Sequence, residues 1–206
     1  MRKVGLAIMA ALGIPLLFAG VATAQTTTCT GKLASGGYDR LVVPAGASCD
    51  GSAAKIYVSD GVRVHQGATF ILGHDGGTGT GVIHGMVHAN APASLQVHFA
   101  RITGGVRMYG GGGQGQFSTV EDSVIRQGVT MTGYSAFWMG FIRNRVLGTV
   151  RLNNNVMGDP DANEYVTNRI RGNLICHGDS PAPQVGDSEG EPNIVTGRKV
   201  DQCAGL

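Results

Sequence analysis

The chain has 206 residues and a formal net charge of +2; charged residues make up only 15% of it, and 34 residues are glycine. A protein this close to neutrality has no overall field to steer it to nucleic acid or to an anionic membrane, so neither class of partner is indicated. No stretch after residue 25 keeps the 3.6-residue periodicity of an amphipathic helix, which excludes a mainly helical fold.

Residues 1–24 have the three-part layout of a secretory signal peptide. Arg2 and Lys3 precede an apolar run over residues 4–18, and the small residues 22–24 provide a cleavage site. The apolar run is too short to span a bilayer. We therefore expect export, removal of this segment, no membrane insertion afterwards, and a protein that is secreted, periplasmic or attached to the cell surface.

A short pattern recurs six times between residues 55 and 176. In each copy a branched apolar residue lies four positions before an apolar residue, which we call the anchor, and a small or apolar residue lies two positions after the anchor. Even spacing places such side chains on one face of an extended strand, and a glycine near each anchor can supply a bend. The triplets are Val58/Val62/Val64, Ile83/Val87/Ala89, Ile102/Val106/Met108, Ile125/Val129/Met131, Val146/Val150/Leu152 and Ile170/Leu174/Cys176.

The anchors are 19 to 25 residues apart, about 22 on average. Repeats of this length, made of strand and corner, predict a solenoid, because one coil buries its apolar residues only between two similar coils. The predicted fold is all-β: a single-domain parallel β-helix (β-solenoid) of about six to eight coils. We expect an N-terminal cap over residues 25–54, coils over 55–176 and a C-terminal cap over 177–206. An antiparallel β-sandwich is the alternative.

The residue after each anchor is expected to face outward, because side chains alternate along a strand. The outward column consists of Arg63, His88, Arg107, Thr130, Arg151 and Ile175. Its arginines recur on alternate coils, about 9.6 Å apart at the usual strand spacing, so they repel each other only weakly in physiological salt. Guanidinium groups are forked donors to carboxylate and sulfate groups. The column is therefore a candidate binding site for an acidic polysaccharide or cell-envelope glycan, with an ordinary solvated surface as the alternative.

Two clusters of side chains precede the last coil. The histidines are His65, His74, His84, His88 and His98, and the aromatic residues are Tyr134, Phe137, Trp138 and Phe141. His84 and His88 are too far apart along an extended strand to share one Zn²⁺, so we expect exposed polar histidines and no metal site. Convergence of histidines from different coils on a metal is the alternative. We expect the aromatic residues to be buried in a wide corner, although an exposed Trp138 could stack on sugar rings.

The sequence indicates no catalytic residues and no cofactor. Residues 186–190 match G-x-S-x-G, but they lack the preceding strand and following helix of a nucleophile elbow. Asp159, Asp161 and Asn163 have the spacing of calcium ligands, but the glycine and glutamate that an EF-hand requires later in the loop are absent, and a weaker calcium site stays open. Polysaccharide lyases of this fold class commonly use a calcium-binding carboxylate cluster with a basic residue, and the sequence shows no carboxylates stacked on adjacent coils.

Four short motifs lie near the end of the chain: Gly172-Asn173-Leu174-Ile175-Cys176, Pro181-Ala182-Pro183, Asn193-Ile194-Val195-Thr196-Gly197 and Gln202-Cys203. Together with the repeats they resemble a group of small exported bacterial proteins that are predicted to form right-handed parallel β-helices. The resemblance covers most of the mature chain; it implies the handedness of the fold and export, and no catalytic residue. Where members of the group often have G-N, this chain has Gly178-Asp179.

The four cysteines are expected to form disulfides, as is usual in an exported protein. Cys29 and Cys49 precede the first predicted coil, whereas Cys176 and Cys203 lie in and after the last. Five coil rises separate the two ends by about 24 Å, which is too far for a disulfide. The predicted pairs are therefore Cys29 with Cys49 and Cys176 with Cys203, each fastening one end of the solenoid. The sequence leaves open whether solenoids associate end to end.

The function expected from the sequence is that of a secreted, non-catalytic surface or matrix protein, or of a binder of acidic glycans. The candidate binding residues are Arg63, His88, Arg107, Arg151 and Trp138. The alternative is a carbohydrate-active enzyme, either a polysaccharide lyase or a hydrolase. Two or more carboxylates and a basic residue within about 5 Å in one groove would favour that alternative.

Overall fold

The computed structural model describes residues 24–185 and 190–206, so nearly all of the predicted signal peptide and most of the G-x-S-x-G segment lie outside the described residues. The described chain contains 26 β-strands and one 3₁₀ helix, and it has no α-helix. Within this part, no helix has the length and hydropathy needed to cross a membrane.

The first thirteen strands are β1 (Thr26–Thr28), β2 (Gly31–Lys32), β3 (Gly36–Tyr38), β4 (Arg40–Val43), β5 (Ser48–Gly51), β6 (Lys55–Val58), β7 (Val62–Val64), β8 (Thr69–Leu72), β9 (Thr80–Ile83), β10 (Val87–Asn90), β11 (Ser94–His98), β12 (Ala100–Ile102) and β13 (Val106–Tyr109). The others are β14 (Phe117–Glu121), β15 (Val124–Ile125), β16 (Val129–Thr132), β17 (Ser135–Ala136), β18 (Trp138–Ile142), β19 (Arg145–Val146), β20 (Val150–Asn153), β21 (Val156–Met157), β22 (Glu164–Val166), β23 (Arg169–Ile170), β24 (Leu174–His177), β25 (Ile194–Val195) and β26 (Lys199–Asp201), followed by the 3₁₀ helix η1 (Gln202–Gly205).

The strands form three long parallel sheets that share one interior. Sheet 1 has the order β1-β4-β7-β10-β13-β16-β20-β24-β26, sheet 2 the order β2-β5-β8-β11-β14-β18-β22, and sheet 3 the order β3-β6-β9-β12-β15-β19-β23-β25. A small fourth sheet pairs β17 with β21. The chain passes from sheet 3 to sheet 1 to sheet 2 and then repeats, which gives a β-solenoid of about eight turns spaced about 21 residues apart. The predicted parallel β-solenoid is confirmed.

The anchors stack in register on sheet 1 and are buried. The expectation that each triplet lies on one strand is wrong. Val58 ends β6 on sheet 3, whereas Val62 begins β7 on sheet 1, and a corner separates them. Glycine is required at this corner because the coils meet closely there: a Cβ on Gly104 would lie 2.2 Å from the backbone oxygen of Gly85. Both members of the triplet still face the interior, since the corner turns around the core.

Both ends of the described solenoid carry a buried disulfide. Cys29 pairs with Cys49 at a Cα–Cα distance of 5.4 Å, and Cys176 pairs with Cys203 at 5.2 Å. The two local pairings predicted from the sequence are therefore seen. Strands β1 to β5, within the segment assigned to the N-terminal cap, join the same three sheets as the later coils.

A ladder of buried polar side chains lines the corner between sheets 2 and 3. This asparagine ladder consists of Ser123, Asn144, Asn168 and Asn193, one residue from each successive coil. The backbone N–H of Asn144 donates to Asn168 Oδ1 at 2.8 Å, and that of Asn168 donates to Asn193 Oδ1 at 3.0 Å. The amide Nδ2 groups donate to neighbouring backbone carbonyls, so the ladder binds the coils together through the core.

A second ladder follows the corner between sheets 1 and 2. Its members are Asn155, Asp179 and Gln202, in successive coils. The backbone N–H of Asn155 donates to Asp179 Oδ1 at 2.8 Å, and that of Asp179 donates to Gln202 Oε1 at 2.8 Å. Asp179 Oδ2 is buried and has no hydrogen-bond partner among the described residues. This ladder therefore contains one polar atom that the fold leaves unsatisfied.

Candidate functional site

A cleft of about 410 Å³ opens on the outer face of sheet 2. Its lining residues are His74, Asp75, Gln96, His98, Phe117, Thr119, Glu121 and Trp138, and we call it the acidic cleft. Strand pairing brings them together, because β11, β14 and β18 are neighbours in sheet 2. His98 is in register with Glu121, and Phe117 with Trp138. Residues more than 20 positions apart in the sequence are therefore adjacent on the surface.

The floor of the acidic cleft contains two buried ionisable side chains, His98 and Glu121, of which only 6% and 5% are exposed. His98 Nδ1 lies 3.8 Å from Glu121 Oε2 and 3.8 Å from Asp75 Oδ1. This nitrogen is buried and has no hydrogen-bond partner among the described residues. The expectation of an exposed histidine is wrong for His98, because the loop after β8, which carries Asp75, packs against it.

Arg143 joins this group from the next coil. Its Nε and Nη2 bind the two carboxylate oxygens of Asp122 at 2.8 and 2.9 Å. Nη2 also lies 3.0 Å from Glu121 Oε2 and 3.4 Å from Asp75 Oδ1. We call Asp75, His98, Glu121, Asp122 and Arg143 the Glu121 cluster. The sequence showed no carboxylates stacked on adjacent coils, whereas the folded chain brings Asp75 to Glu121 from a different coil.

The surroundings of Glu121 and His98 change their proton affinities. Burial raises the pKa of Glu121 to about 7, and the charges of Asp75 and Asp122 act in the same direction. The hydrogen bond from Thr119 and the positive charge of Arg143 oppose this rise. Burial also lowers the pKa of His98 below its usual value. At neutral pH the cleft therefore holds a carboxyl group in both protonation states beside a neutral imidazole.

Trp138 forms part of the wall of the acidic cleft. Its indole Nε1 donates to Glu164 Oε1 at 3.1 Å, and the ring lies over Gly140, where a Cβ would come within 2.2 Å of Trp138 Cη2. Tyr134 and Phe141 are fully buried as expected, whereas Phe137 is half exposed. Trp138 lies on sheet 2, so it does not share a face with the arginines of the predicted column on sheet 1.

The predicted outward column is present on sheet 1. Pairing places Arg63, His88, Arg107, Thr130, Arg151 and Ile175 in one continuous register. The three arginines are exposed. Burial, followed by the positive charges of Arg63 and Arg107, lowers the pKa of His88. His88 is therefore mainly neutral at pH 7, and the column carries separated positive charges.

Sheet 3 carries a second set of outward arginines, which the sequence analysis missed. Arg145 and Arg169 are in register on neighbouring strands, and Arg101 lies two strands before Arg145 in the same column. Together with Arg171, Leu147 and Ile194, the first two line a cavity of about 530 Å³. No arginine of either column forms an ion pair within residues 24–185 and 190–206.

The acidic residues of the central coils are confined to one place, where Arg143 contacts them. Between residues 76 and 158 the chain has six arginines and two acidic residues, Glu121 and Asp122. Both acidic residues belong to the Glu121 cluster, at the end of β14 and the corner that follows. In this described stretch, the outward faces of sheets 1 and 3 therefore carry positive charge alone.

The three residues with calcium-like spacing do not form a shared oxygen site. Asn163 is buried; its Oδ1 accepts from the Tyr165 hydroxyl at 3.0 Å, and its Nδ2 donates to the Pro181 carbonyl at 2.8 Å. Asp159 Oδ1 accepts from the backbone N–H of Asp161 at 3.0 Å, which closes a local turn. These contacts give Asn163 and Asp159 structural roles.

Comparison of the chain with protein-family models, with curated proteins and with solved structures finds no match. The geometry and charges of the described residues are therefore the basis for the function proposed below.

Proposed function

We propose that this protein is a secreted or surface-attached β-solenoid that binds acidic polysaccharides along its arginine columns. The observation that carries the proposal is the register of exposed arginines on sheets 1 and 3, which acidic residues do not interrupt in the central coils. The two local disulfides support export, because disulfides persist in oxidising compartments. The resemblance of the closing motifs to those of exported bacterial proteins, noted from the sequence, is in line with export, and the question of end-to-end association stays open.

The spacing of the arginines suits a repeating polyanion. Arginines on alternate coils are about 9.6 Å apart at the usual strand spacing, and those on adjacent coils are about 4.8 Å apart. Arg145 and Arg169 are on adjacent coils and stand beside apolar side chains in one cavity. A sugar with a carboxylate or sulfate group presents both an anion for the guanidinium groups and a C–H face for the apolar surface.

Salt-dependent binding is the test. We expect the protein to bind polygalacturonate and dextran sulfate in calorimetry, with an affinity that falls between about 0.05 and about 0.3 M NaCl as charge screening increases. Uncharged dextran should not bind. The double substitutions Arg107→Ala with Arg151→Ala, and Arg145→Ala with Arg169→Ala, separate the columns on sheets 1 and 3.

The control is Arg198→Ala with Lys199→Ala, which removes the same charge outside both columns. We expect at least one column variant to bind about tenfold more weakly than this control, as loss of charged hydrogen bonds predicts. Equal binding by all three double variants, or no salt-sensitive binding by the unaltered protein, would show that the columns are only a solvated surface.

A carbohydrate-active enzyme is the second candidate, because the Glu121 cluster meets the condition set from the sequence. Asp75 and Glu121 line the acidic cleft, and Arg143 Nη2 lies 3.0 Å from Glu121 Oε2 and 3.4 Å from Asp75 Oδ1. A carboxyl group that changes protonation near pH 7 suits general acid–base chemistry on a glycosidic bond.

Product analysis distinguishes this candidate from a binding protein. Incubation with acidic and neutral polysaccharides should release new reducing ends in hydrolysis, or sugars with an absorbing double bond in elimination. The variant Glu121→Gln should abolish either product without weakening the salt-sensitive binding to the arginine columns. Product formation by Glu121→Gln at the unaltered rate would exclude this cleft as the catalytic site.

A further inference from the structure

We propose that Asp75, His98 and Glu121 bind a divalent transition-metal ion, Zn²⁺ in the first instance, on the floor of the acidic cleft. This site is separate from the arginine columns, and its existence does not depend on glycan binding. The three proposed ligands come from three different coils. Strand pairing brings Glu121 to His98, and the loop after β8 brings Asp75.

The two distances from His98 to the carboxylate oxygens are close to those of a zinc site. One ligand atom from each of the three side chains lies within 4.8 Å of the other two, and His98 Nδ1 is 3.8 Å from both carboxylate oxygens. Donors at about 2.1 Å from a tetrahedral Zn²⁺ stand about 3.4 Å apart. The two distances from His98 Nδ1 must therefore shorten by a few tenths of an ångström to match those of a zinc site. Asp75 can supply it, because its side chain is 70% exposed and lies in a glycine-rich loop.

The unpartnered nitrogen of His98 is the second and independent sign of a ligand. A buried polar atom is normally hydrogen-bonded, because desolvation without a partner costs free energy. His98 Nδ1 is enclosed and faces two carboxylates, with no hydrogen bond among the described residues. A metal ion between the three groups gives this nitrogen its partner, since a neutral imidazole nitrogen is a common ligand of Zn²⁺.

The charge of the Glu121 cluster also favours a divalent cation. When Glu121 is ionised, as a metal ligand must be, the three carboxylates and the guanidinium of Arg143 leave a formal charge of −2, in a place where two of the side chains are almost fully buried. A divalent ion balances this charge. Arg143 keeps its paired contacts to Asp122, and its Nη2 lies beside both proposed ligand oxygens, 3.0 Å from Glu121 Oε2 and 3.4 Å from Asp75 Oδ1. It therefore orients both metal-binding carboxylates from outside the ligand set.

The ligand set selects the kind of ion. Calcium takes six to eight oxygen ligands, whereas this site offers two carboxylates and one imidazole nitrogen. Mixed nitrogen and oxygen ligands suit Zn²⁺ and related transition metals. Three protein ligands leave a coordination position that faces the open cleft, which is the arrangement of a catalytic rather than a purely structural zinc site.

Calorimetric titration of ZnCl₂ into the untagged, disulfide-bonded protein, after treatment with EDTA and exchange of buffer, tests the proposal without any glycan. We expect one Zn²⁺ per chain. The variants His98→Leu, Glu121→Gln and Asp75→Asn should each bind at least about tenfold more weakly, since each removes a direct ligand. His65→Ala, which removes an exposed histidine outside the cleft, should bind like the unaltered protein.

X-ray absorption at the zinc edge supplies the second measurement. We expect one imidazole nitrogen in the first coordination shell of the unaltered protein and none at this site in His98→Leu. Thermal unfolding verifies that the variants fold, and Asp75→Asn decides the outcome if a buried variant does not, because its side chain is exposed. Unchanged affinity in the folded variants, absence of stoichiometric Zn²⁺, or tighter binding of Ca²⁺ than of Zn²⁺ would overturn the assignment.

Discussion

The asparagine ladder and the Glu121 cluster occupy adjacent positions of the same coils. Glu121 ends β14, and Ser123, the first member of the ladder, follows it by two residues. Both regions bury polar side chains where one coil stacks on the next. They differ in what those side chains bind. The ladder joins amides to backbone groups of neighbouring coils. The cluster brings charges from different coils around a nitrogen that has no hydrogen-bond partner among the described residues.

This difference distinguishes buried polar groups that stabilise the fold from buried polar groups that do not. An amide in the ladder satisfies a donor or acceptor of the neighbouring backbone, so its removal leaves two other buried groups unpaired. In the Glu121 cluster, the buried Nδ1 of His98 forms no hydrogen bond with any described residue. Burial also raises the pKa of Glu121 to about 7. Groups of the second kind reduce stability and are typical of functional sites.

The largest expected effect follows from breaking the ladder at Asn168. Its Oδ1 accepts from the backbone of Asn144, and its Nδ2 donates to the Phe141 carbonyl at 2.6 Å. We expect Asn168→Ala to lower the free energy of unfolding by about 3 kcal/mol or more, because two buried backbone groups lose their partners. Chemical denaturation at pH 7 measures the change. Arg169→Ala, next in sequence and exposed, is the control and should change it by less than about 0.5 kcal/mol.

A repair of the second ladder should have an intermediate effect of opposite sign. Burial raises the pKa of Asp179 to about 7, above the usual value near 4 that it regains on unfolding. Its stabilising contribution is therefore complete below about pH 4 and is lost as the pH rises toward 7. The substitution Asp179→Asn would keep the acceptor for the backbone N–H of Asn155 and replace the unsatisfied Oδ2 by a donor.

We expect Asp179→Asn to raise the free energy of unfolding by about 2 kcal/mol above pH 7 and to have little effect near pH 4. Denaturation curves of both proteins across this range measure the difference, which removes the contribution of other groups such as Glu121 that titrate in the same window. A difference independent of pH would show that folding does not raise the pKa of Asp179.

The fold could be predicted because the number of residues from a strand of sheet 3 to the next strand of sheet 1 is the same in every repeat. Each outward residue of sheet 3 lies five positions before an anchor, so Arg101, Arg145 and Arg169 were within reach of the same argument that found Arg107 and Arg151. The asparagine ladder has a comparable signal, because Asn144, Asn168 and Asn193 each lie two positions before a buried or half-buried branched residue.

The acidic cleft could not be found by counting from the anchors. His98 lies 11 residues after Val87, whereas Glu121 lies 15 residues after Val106, because the glycine-rich corner after β13 is longer than the one after β10. Insertions at this corner therefore change the number of residues between equivalent positions of sheets 1 and 2 from coil to coil. Asp75 comes from a loop outside the repeat, so only the folded chain brings it to His98.

The smallest expected effect, and the sharpest test of the comparison, comes from His98→Leu. Leucine has a similar size and removes a buried nitrogen that the described residues leave unpaired, so the loss of polar contacts is small and apolar burial offsets it. In the presence of EDTA we expect the free energy of unfolding to change by less than about 1 kcal/mol, although His98 is almost as deeply buried as the ladder residues. Chemical denaturation measures this beside Asn168→Ala. A cost for His98→Leu as large as that for Asn168→Ala would place His98 in the structural network and remove the distinction between the two regions. A second set of denaturation curves, with Zn²⁺ in place of EDTA, completes the test. If Zn²⁺ raises the free energy of unfolding of the unaltered protein but not that of His98→Leu, the imidazole nitrogen binds the ion although it adds little to the stability of the fold.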